Sequence, residues 1–203
     1  VEEGMKAYPY RHIQRVGQEN GNNRIAVYSR FPILSARKLQ YDSSYNGSAI
    51  YELKINEDTI TLINNHLESN KLTKADKAVY EEMLKDPNAH KVKSGTQHLV
   101  GKLAEASAIR AKQADVIAAE IAASRHPYII VCGDFNDPAI SYTHRVIAEK
   151  LDDAFTESGQ GLGISYNQNK FYFRIDNILI SKSLRAYNCT VDRSIKDSDH
   201  YPI

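Results

Sequence analysis

Residues 128–136 read YIIVCGDFN, in which an apolar run from Tyr128 to Cys132 is followed at once by the tetrapeptide Gly133-Asp134-Phe135-Asn136. A continuous β-branched run of this kind is typical of a strand that is covered on both faces. Glycine, aspartate and asparagine favour turns for local backbone reasons. The segment therefore predicts a buried strand that ends in a carboxylate and an amide.

Further strands are predicted on both sides of this segment. They are rich in apolar residues or alternate apolar with polar ones, and turn formers delimit them. They cover residues 24–28, 51–55, 59–63 and 171–180, with one more expected at 186–191. The turn formers at 56–58 predict an antiparallel hairpin between the second and third of these strands. The hairpin leaves Asn64-Asn65-His66 at the end of a strand.

Helices are predicted at residues 72–85, 99–123 and 141–151, the last with Ser141 near its N-cap. The first is expected to end at Asp86-Pro87, because proline disfavours helix in the residue before it. Residues 86–98 are then predicted as a loop. The second helix carries apolar and alanine residues at spacings of three or four, which suits packing on a sheet. The pattern as a whole predicts a mixed α/β sandwich with helices outside stacked sheets.

Composition and charge exclude several classes of protein. A chain of 203 residues suits one domain. The net charge of +1 provides no overall field to recruit nucleic acid or anionic membranes. Cys132 and Cys189 are the only cysteines, too few for a disulfide framework. No apolar run reaches the length of a membrane span or a secretory signal. Because the sequence starts at Val1, the cellular location is left unknown.

Four segments share one feature, an apolar strand that ends in titratable or amide side chains. They are NNH at 64–66, GDFN at 133–136, RID at 174–176 and SDH at 198–200. If the strands are neighbours, these side chains meet at one rim. Imidazoles, carboxylates and an amide suit metal-assisted phosphoester hydrolysis, because hard oxygen ligands bind Mg²⁺ or Mn²⁺ and a histidine can accept a proton near neutral pH.

Each segment also has a purely structural interpretation. Residues 133–138 and 198–200 would serve as plain turns about as well, and His66 alone suits a polar strand end. Asp176 is harder to explain in this way, because a carboxylate on a largely apolar strand is costly unless it is paired. His200 is its predicted partner. Structural roles are expected for the other histidines, His12, His90, His98, His126 and His144.

The order of these segments is more specific than any one of them. NNHLES, GDFNDP, FRIDNILIS and SDHYPI, together with RIAVYSRFPI and AIRAKQADVI, resemble the endonuclease/exonuclease/phosphatase superfamily, whose fold is that of deoxyribonuclease I. The resemblance covers nearly the whole chain. It implies a four-layer α-β-β-α sandwich of two mixed, largely antiparallel sheets with outer helices.

The resemblance also implies roles for individual residues. His66 would hydrogen-bond the scissile phosphate. Asp134 and Asn136 would orient the attacking water and the phosphoryl oxygens, with Asp134 also near the metal. Asp176 would pair with His200, which would act as general base or stabilise the phosphate. The predicted catalytic residues are thus His66, Asp134, Asn136, Asp176 and His200, and the predicted metal ligands are Asp199 and Asp134.

The sequence departs from the family pattern at its start. Family members carry a functional asparagine and a Gln-Glu pair, whose glutamate binds the metal, ahead of the segment that resembles SRFP. Gln18-Glu19 lies in a polar stretch and is interpreted as a loop. We therefore expect residues 1–203 to be a single domain that lacks its N-terminal strands and final strand, with an incomplete Mg²⁺ or Mn²⁺ site. A helical insertion is expected at about 70–98, as a lid or as a solvated surface helix.

The predicted function is that of a divalent-metal-dependent phosphoesterase, and a phosphodiester is its expected substrate. Its expected partner is a phosphoester substrate, with nucleic acid and phospholipid or inositol phosphate left open, and the chain is expected to be a monomer. The near-zero charge and the lack of tryptophan mildly disfavour a non-specific DNA nuclease. The alternative is a non-catalytic binding module that keeps the fold with an incomplete metal site.

Overall fold

A computed structural model describes residues 4–17, 21–41, 45–85, 90–168 and 171–203. The strands are β1 (Tyr10–Arg15), β2 (Arg24–Ser29), β3 (Ile33–Lys38), β4 (Gly47–Ile55), β5 (Asp58–His66), β6 (Tyr128–Asp134), β7 (Leu151–Asp153) and β8 (Asp176–Ser181). The helices are α1 (Lys74–Lys85), α2 (His90–Ala123), α3 (Tyr142–Ile147) and α4 (Ala154–Ser158). The predicted loop at Gln18-Glu19 lies outside the described residues.

The strands form two sheets. β1 and β2 form an antiparallel pair, and the other strands form a six-stranded sheet in the order β3-β4-β5-β6-β8-β7. β5 and β6 run parallel, and every other neighbouring pair in the large sheet is antiparallel. The long crossover between the parallel strands contains α1 and α2. As the sequence predicts, β6 is an inner strand, and β4 and β5 form the hairpin.

Two apolar cores hold the layers together. One lies between the large sheet and α2, where Ile63, Val131 and Leu179 pack with Ala114 and Ile117, all fully buried. The other lies between the two sheets, on the opposite face of the large sheet. It contains Val16, Ile25, Val27, Ala49, Tyr51 and Leu53. The predicted mixed α/β sandwich of two stacked sheets with outer helices is therefore confirmed.

The prediction of a loop at 86–98 is wrong from residue 90 onward, because α2 begins at His90. Gly95 allows α2 to pack closely on α1, because a Cβ at this position would lie 2.7 Å from Cγ1 of Val79. Residues 86–89 lie outside the described part of the chain. Within that part, no helix is both long and apolar enough to cross a bilayer.

Two predicted elements near the C-terminus also differ. Residues 186–191 form no strand, because the backbone amides of Ala186 and Cys189 donate to the side chains of Glu157 and Ser158. Of the strand predicted at 171–180, only residues 176–180 belong to β8, and Phe173 instead pairs with Tyr166 in an isolated bridge. The helix predicted at 141–151 ends at Ile147, and its N-cap is Ser141 as predicted.

Candidate active site

The pairing of the strands brings three of the predicted side chains to one rim. In the parallel pair, His66 at the end of β5 lies opposite Asp134 at the end of β6. In the antiparallel pair, Asp134 lies opposite Asp176, the first residue of β8. Nε2 of His66 lies 3.7 Å from Oδ2 of Asp134. The rim is thus built from neighbouring strands of one sheet, which fixes the positions of these side chains.

The GDFN segment forms a tight turn that orients Asp134. Gly133 has a φ of 122°, and a Cβ at this position would lie 2.0 Å from the backbone oxygen of Asn65, so only glycine fits. Asn136 is also in the left-handed region, with a φ of 52°. Its backbone amide donates to Oδ1 of Asp134 at 2.8 Å, and its side-chain amide donates to Oδ2 at 2.9 Å and to the Leu67 oxygen at 3.0 Å.

The predicted pairing of Asp176 with His200 is confirmed. Nδ1 of His200 lies 2.7 Å from Oδ2 of Asp176. The other ring nitrogen, Nε2, lies 3.9 Å from Oδ2 of Asp134. The hydroxyl of Ser165 accepts a hydrogen bond from the backbone amide of Asp176, and the Tyr166 and His200 rings are 5.1 Å apart. Asp176 therefore orients the His200 ring so that its second nitrogen points toward Asp134.

Burial and neighbouring charges shift the pKa values of the rim residues in different directions. Burial raises the pKa of Asp134 to about 7, and the negative charge of Asp176 acts in the same direction. Burial alone would lower the pKa of His200, but the hydrogen bond to Asp176 and the charges of Asp176 and Asp134 together raise it. The pKa of His66 is lowered by burial and by the charge of His200. These shifts make His200 easier to protonate than His66.

Three side chains of the rim lie close enough together to form a possible metal group. One carboxylate oxygen each from Asp134 and Asp176 and one nitrogen from His200 lie within 4.8 Å of one another. Asp199, which was predicted as a metal ligand, is not in this group; it is exposed and lines the cavity in front of the rim. Asp176 is turned toward His200 and does not line the cavity, so Asp134 offers the carboxylate that is open to a cation.

A cavity of about 790 Å³ opens in front of the rim. His66, Asp134, Asn136 and His200 line one end of it. Much of the remaining lining comes from Lys77 and Tyr80 on α1, from α2 between Leu99 and Arg110, and from Tyr166, Phe171 and Phe173. Apolar periodicity in the helices identified these wall residues only as packing positions, since periodicity does not distinguish a buried face from a cavity wall.

A buried ion pair that sequence reasoning did not identify supports the loops around the rim. Arg110 on α2 is 1% exposed and pairs with Asp137, directly after GDFN, at 2.8 Å. The same guanidinium donates to the backbone oxygen of Glu68 and to Oδ1 of Asn70, both at 2.8 Å. Arg110 therefore joins the loop after His66 to the loop after Asp134. Resemblance to the family marked Arg110 but gave it no partner.

His144 has the structural role that the sequence predicts. It is buried, and Nε2 lies 3.0 Å from Oδ2 of Asp153. Nη1 and Nη2 of Arg174 also donate to Asp153, at 3.0 and 2.7 Å. This second Asp–His cluster lies outside the cavity lining. Arg174, the first residue of the RID segment, is thus part of the protein interior and not of the rim.

Known structures share this fold at low sequence identity. Humanized D. rerio TDP2 has a TM-score of 0.63 and 15% identity, with 98% of this chain and 76% of that chain covered. Beta toxin from Staphylococcus aureus has a TM-score of 0.60 and 14% identity, covering 98% and 78%. Sphingomyelinase C from Streptomyces griseocarneus has a TM-score of 0.56 and 16% identity, covering 87% and 65%.

Comparison with curated protein sequences gives no match. The family model described as Endonuclease/Exonuclease/phosphatase family matches residues 2–200, which is nearly the whole chain and includes all four segments of the rim. The chain therefore belongs to the Endonuclease/Exonuclease/phosphatase family.

Proposed function

We propose that the protein is a divalent-metal-dependent phosphodiesterase whose chemistry takes place at the rim of β5, β6 and β8. The observation that carries this proposal is the convergence of Asp134, Asp176 and His200, with ligand atoms within 4.8 Å, at the end of a large cavity. Family membership and the order of the four segments support the reaction class.

Asp134 is proposed to accept the proton of the attacking water. Its carboxylate lines the cavity between the ring nitrogens of His66 and His200, where an attacking water can reach it. Asn136 positions this carboxylate, because its backbone and side-chain amides both donate to it. The side-chain amide of Asn136 is already engaged by the Leu67 oxygen as well. Its contribution is therefore to hold Asp134 rather than to contact the phosphate on its own.

The two histidines are proposed to hold the phosphoryl group. His200, held by Asp176 and with a raised pKa, would present a positively charged Nε2 to a phosphoryl oxygen. His66, whose pKa is lowered, would donate a neutral N–H from the other side of Asp134. Of the two roles expected for His200, stabilisation of the phosphate fits its raised pKa better than that of general base.

Asp134 and Asp199 are the proposed metal ligands, because both line the cavity. A bound Mg²⁺ or Mn²⁺ would neutralise charge on the phosphoryl oxygens. Carboxylate oxygens are the ligands that these cations prefer.

Hydrolysis of bis(4-nitrophenyl) phosphate tests the proposal. The protein is expected to release nitrophenolate with Mg²⁺ or Mn²⁺ and not with EDTA, and His200→Ala is expected to reduce the rate by about 100-fold or more. Arg145→Ala, an exposed site on α3 away from the rim, provides the control. No release by the folded protein with either metal would favour the alternative of a non-catalytic module that keeps the fold.

A further inference from the structure

The cavity in front of the rim is chemically two-sided. Carboxylates and imidazoles line the end formed by the strands. Elsewhere α1, α2 and the segment after Tyr166 contribute leucines and aromatic rings, with Lys77, Ser107 and Arg110 in the same part of the lining. The apolar side chains of this part, called the apolar wall, are Tyr80, Leu99, Leu103, Phe171 and Phe173. The volume of about 790 Å³ exceeds what a phosphoryl group and its metal need and lies within the range of about 300–1,000 Å³ typical of small-molecule sites. The remaining space faces the apolar wall.

The apolar wall is an ordered surface made by two separate parts of the chain. The rings of Tyr80 on α1 and Phe171 stack with their centroids 4.1 Å apart. The ring centroids of Phe171 and Phe173 are 6.1 Å apart. Leu99 and Leu103 lie one turn apart on α2 and face the same cavity. Leu103 is half-buried. An apolar ligand that covers partly exposed apolar side chains removes their surface from water, which favours binding.

Two of the three lysine and arginine side chains that line this cavity, among the described residues, are paired with carboxylates. Nζ of Lys71 lies 2.6 Å from a Glu68 carboxylate oxygen, and Arg110 pairs with Asp137. Nζ of Lys77 donates to the Tyr166 hydroxyl at 3.4 Å. Nucleic-acid binding needs a series of lysines or arginines that are available to successive phosphates. Among the described residues that line the cavity, the arrangement is better suited to one phosphoryl group with an apolar substituent.

We propose that the apolar wall binds the hydrocarbon part of an amphiphilic phosphoester, so that the substrate is a lipid-type phosphodiester and not a nucleic acid. This inference rests on the proposed phosphodiesterase function for the position of the phosphoryl group. The phosphate would lie at Asp134 and His200, and the chain of the alcohol would extend along Leu99, Leu103 and the stacked Tyr80 ring. Tyr80 on α1 and Leu99 and Leu103 on α2 would thus determine specificity.

Calorimetric binding of two phosphonates tests the wall without requiring catalysis. Octylphosphonate and methylphosphonate share one head group and differ only in chain length, and both are used below micelle-forming concentrations. Each buried methylene strengthens binding by about fourfold, so four of them inside the cavity give on the order of 100-fold tighter binding of octylphosphonate. Equal affinities for the two probes would overturn the inference.

A matched pair of variants on α2 locates the binding surface. Leu103→Ser removes a cavity-lining side chain, and Val100→Ser makes a similar change at a residue that is 56% exposed and does not line the cavity. Leu103→Ser is expected to weaken octylphosphonate binding by about tenfold without affecting methylphosphonate. Val100→Ser is expected to change neither affinity. Equal losses in both variants would contradict the assignment, and the wild-type comparison remains informative if Leu103→Ser does not fold.

Two further arms separate the possible failures. Octyl 4-nitrophenyl phosphate should have a lower KM than methyl 4-nitrophenyl phosphate with Mn²⁺. Preferential binding of octylphosphonate without hydrolysis of either ester would support the apolar wall and contradict the phosphodiesterase proposal. Hydrolysis of both esters with one KM would do the reverse. Salt-sensitive binding of oligothymidylate, with no preference for octylphosphonate, would overturn the inference in favour of base stacking on the aromatic rings.

Discussion

Two Asp–His clusters of similar composition lie in different electrostatic settings. In the rim cluster, Asp134 faces a second carboxylate, Asp176, and its pKa is raised to about 7. In the interior cluster, Asp153 accepts hydrogen bonds from His144 and from Nη1 and Nη2 of Arg174. Burial alone would raise the pKa of Asp153, but these partners and the amides of α4 hold it well below its usual range.

The contrast separates a structural carboxylate from a chemically available one. Asp153 is surrounded by donors, including the backbone amides of Phe155 and Thr156, and it begins α4 as its N-cap. Asp134 accepts hydrogen bonds from Asn136, and beyond these it faces the ring nitrogens of His66 and His200 at 3.7 and 3.9 Å, the carboxylate of Asp176 and the cavity. An excess of negative charge at the rim favours the binding of a cation or the uptake of a proton. Residue types alone do not distinguish the two clusters, whereas their partners do.

The largest effect on activity is expected at the rim. Asp134→Asn removes the proposed base and metal ligand, so hydrolysis of bis(4-nitrophenyl) phosphate should fall by about 1,000-fold. Its folded state should not be less stable. Because the folded-state pKa of Asp134 is raised to about 7, ionisation of this carboxyl destabilises the wild-type fold as the pH rises from the pKa of the unfolded chain through 7.

Urea unfolding of Asp134→Asn and wild type at pH 8, with EDTA present, measures that second expectation. Equal or greater stability of the variant is expected, because the amide removes like-charge repulsion with Asp176. A large loss of stability, with activity retained per folded molecule, would show that Asp134 is a structural carboxylate and contradict its assignment to the site.

The largest effect on stability is expected in the interior. Asp153→Asn leaves Arg174 and His144 without their carboxylate, and breaking a buried ion pair costs about 3 kcal/mol. Urea unfolding at pH 7 provides the measurement. The folded variant should hydrolyse the nitrophenyl diester at the wild-type rate, since Asp153 does not line the cavity. Unchanged stability would show that the interior cluster has been assigned wrongly.

A smaller loss of activity is expected when only the support of His200 is removed. Asp176→Asn should reduce hydrolysis by about 100-fold, the upper range for loss of a carboxylate that orients a functional histidine. Because Asp176 raises the pKa of His200 through a hydrogen bond and its charge, that pKa should fall in the variant. Proton NMR titration of His200 in EDTA measures the shift, and an unchanged or higher pKa would contradict the proposed pairing in solution.

The smallest effect concerns acid stability. The folded-state pKa of Asp153 is lowered, so its contribution is present above the unfolded value of about 3.9 and is lost as the pH falls through the folded value. The stability difference between wild type and Asp153→Asn should therefore be full at pH 6 and shrink as the pH is lowered below about 4. Urea unfolding of both proteins at each pH measures this difference in the free energy of unfolding. A difference that grows on acidification would exclude an ionised Asp153.

Local sequence patterns predicted the parts of the fold that depend on one segment at a time. The apolar run 128–132 and the turn formers at 56–58 were sufficient for β6 and for the β4-β5 hairpin. The start of α2 was not predictable in this way, since Gly95 looks unfavourable until its contact with Val79 is known. The strand prediction at 186–191 was wrong for a related reason. The backbone amides of this segment donate to the side chains of Glu157 and Ser158, which are distant in sequence.

The rim was predictable in part because His66 and Asp134 each follow an apolar strand run. The observed strand pairing then brings His66, Asp134 and Asp176 together. His200 lies in an isolated bridge, and its prediction came from the need of Asp176 for a partner. The interior cluster has no comparable signal, because His144, Asp153 and Arg174 come from a helix, a short strand and a loop. The apolar wall was missed because leucines on a helix suit packing as well as ligand binding.

The most direct test of the central claim is a crystal structure with Mn²⁺ and a non-cleavable phosphonate diester, measured at the manganese absorption edge. The anomalous difference map is predicted to show a peak in the cavity at the Asp134 carboxylate, with the phosphonate beside His200 and no peak at Asp153. Manganese bound away from Asp134, or a phosphonate outside the cavity, would contradict the assignment of the rim as the site of phosphodiester hydrolysis.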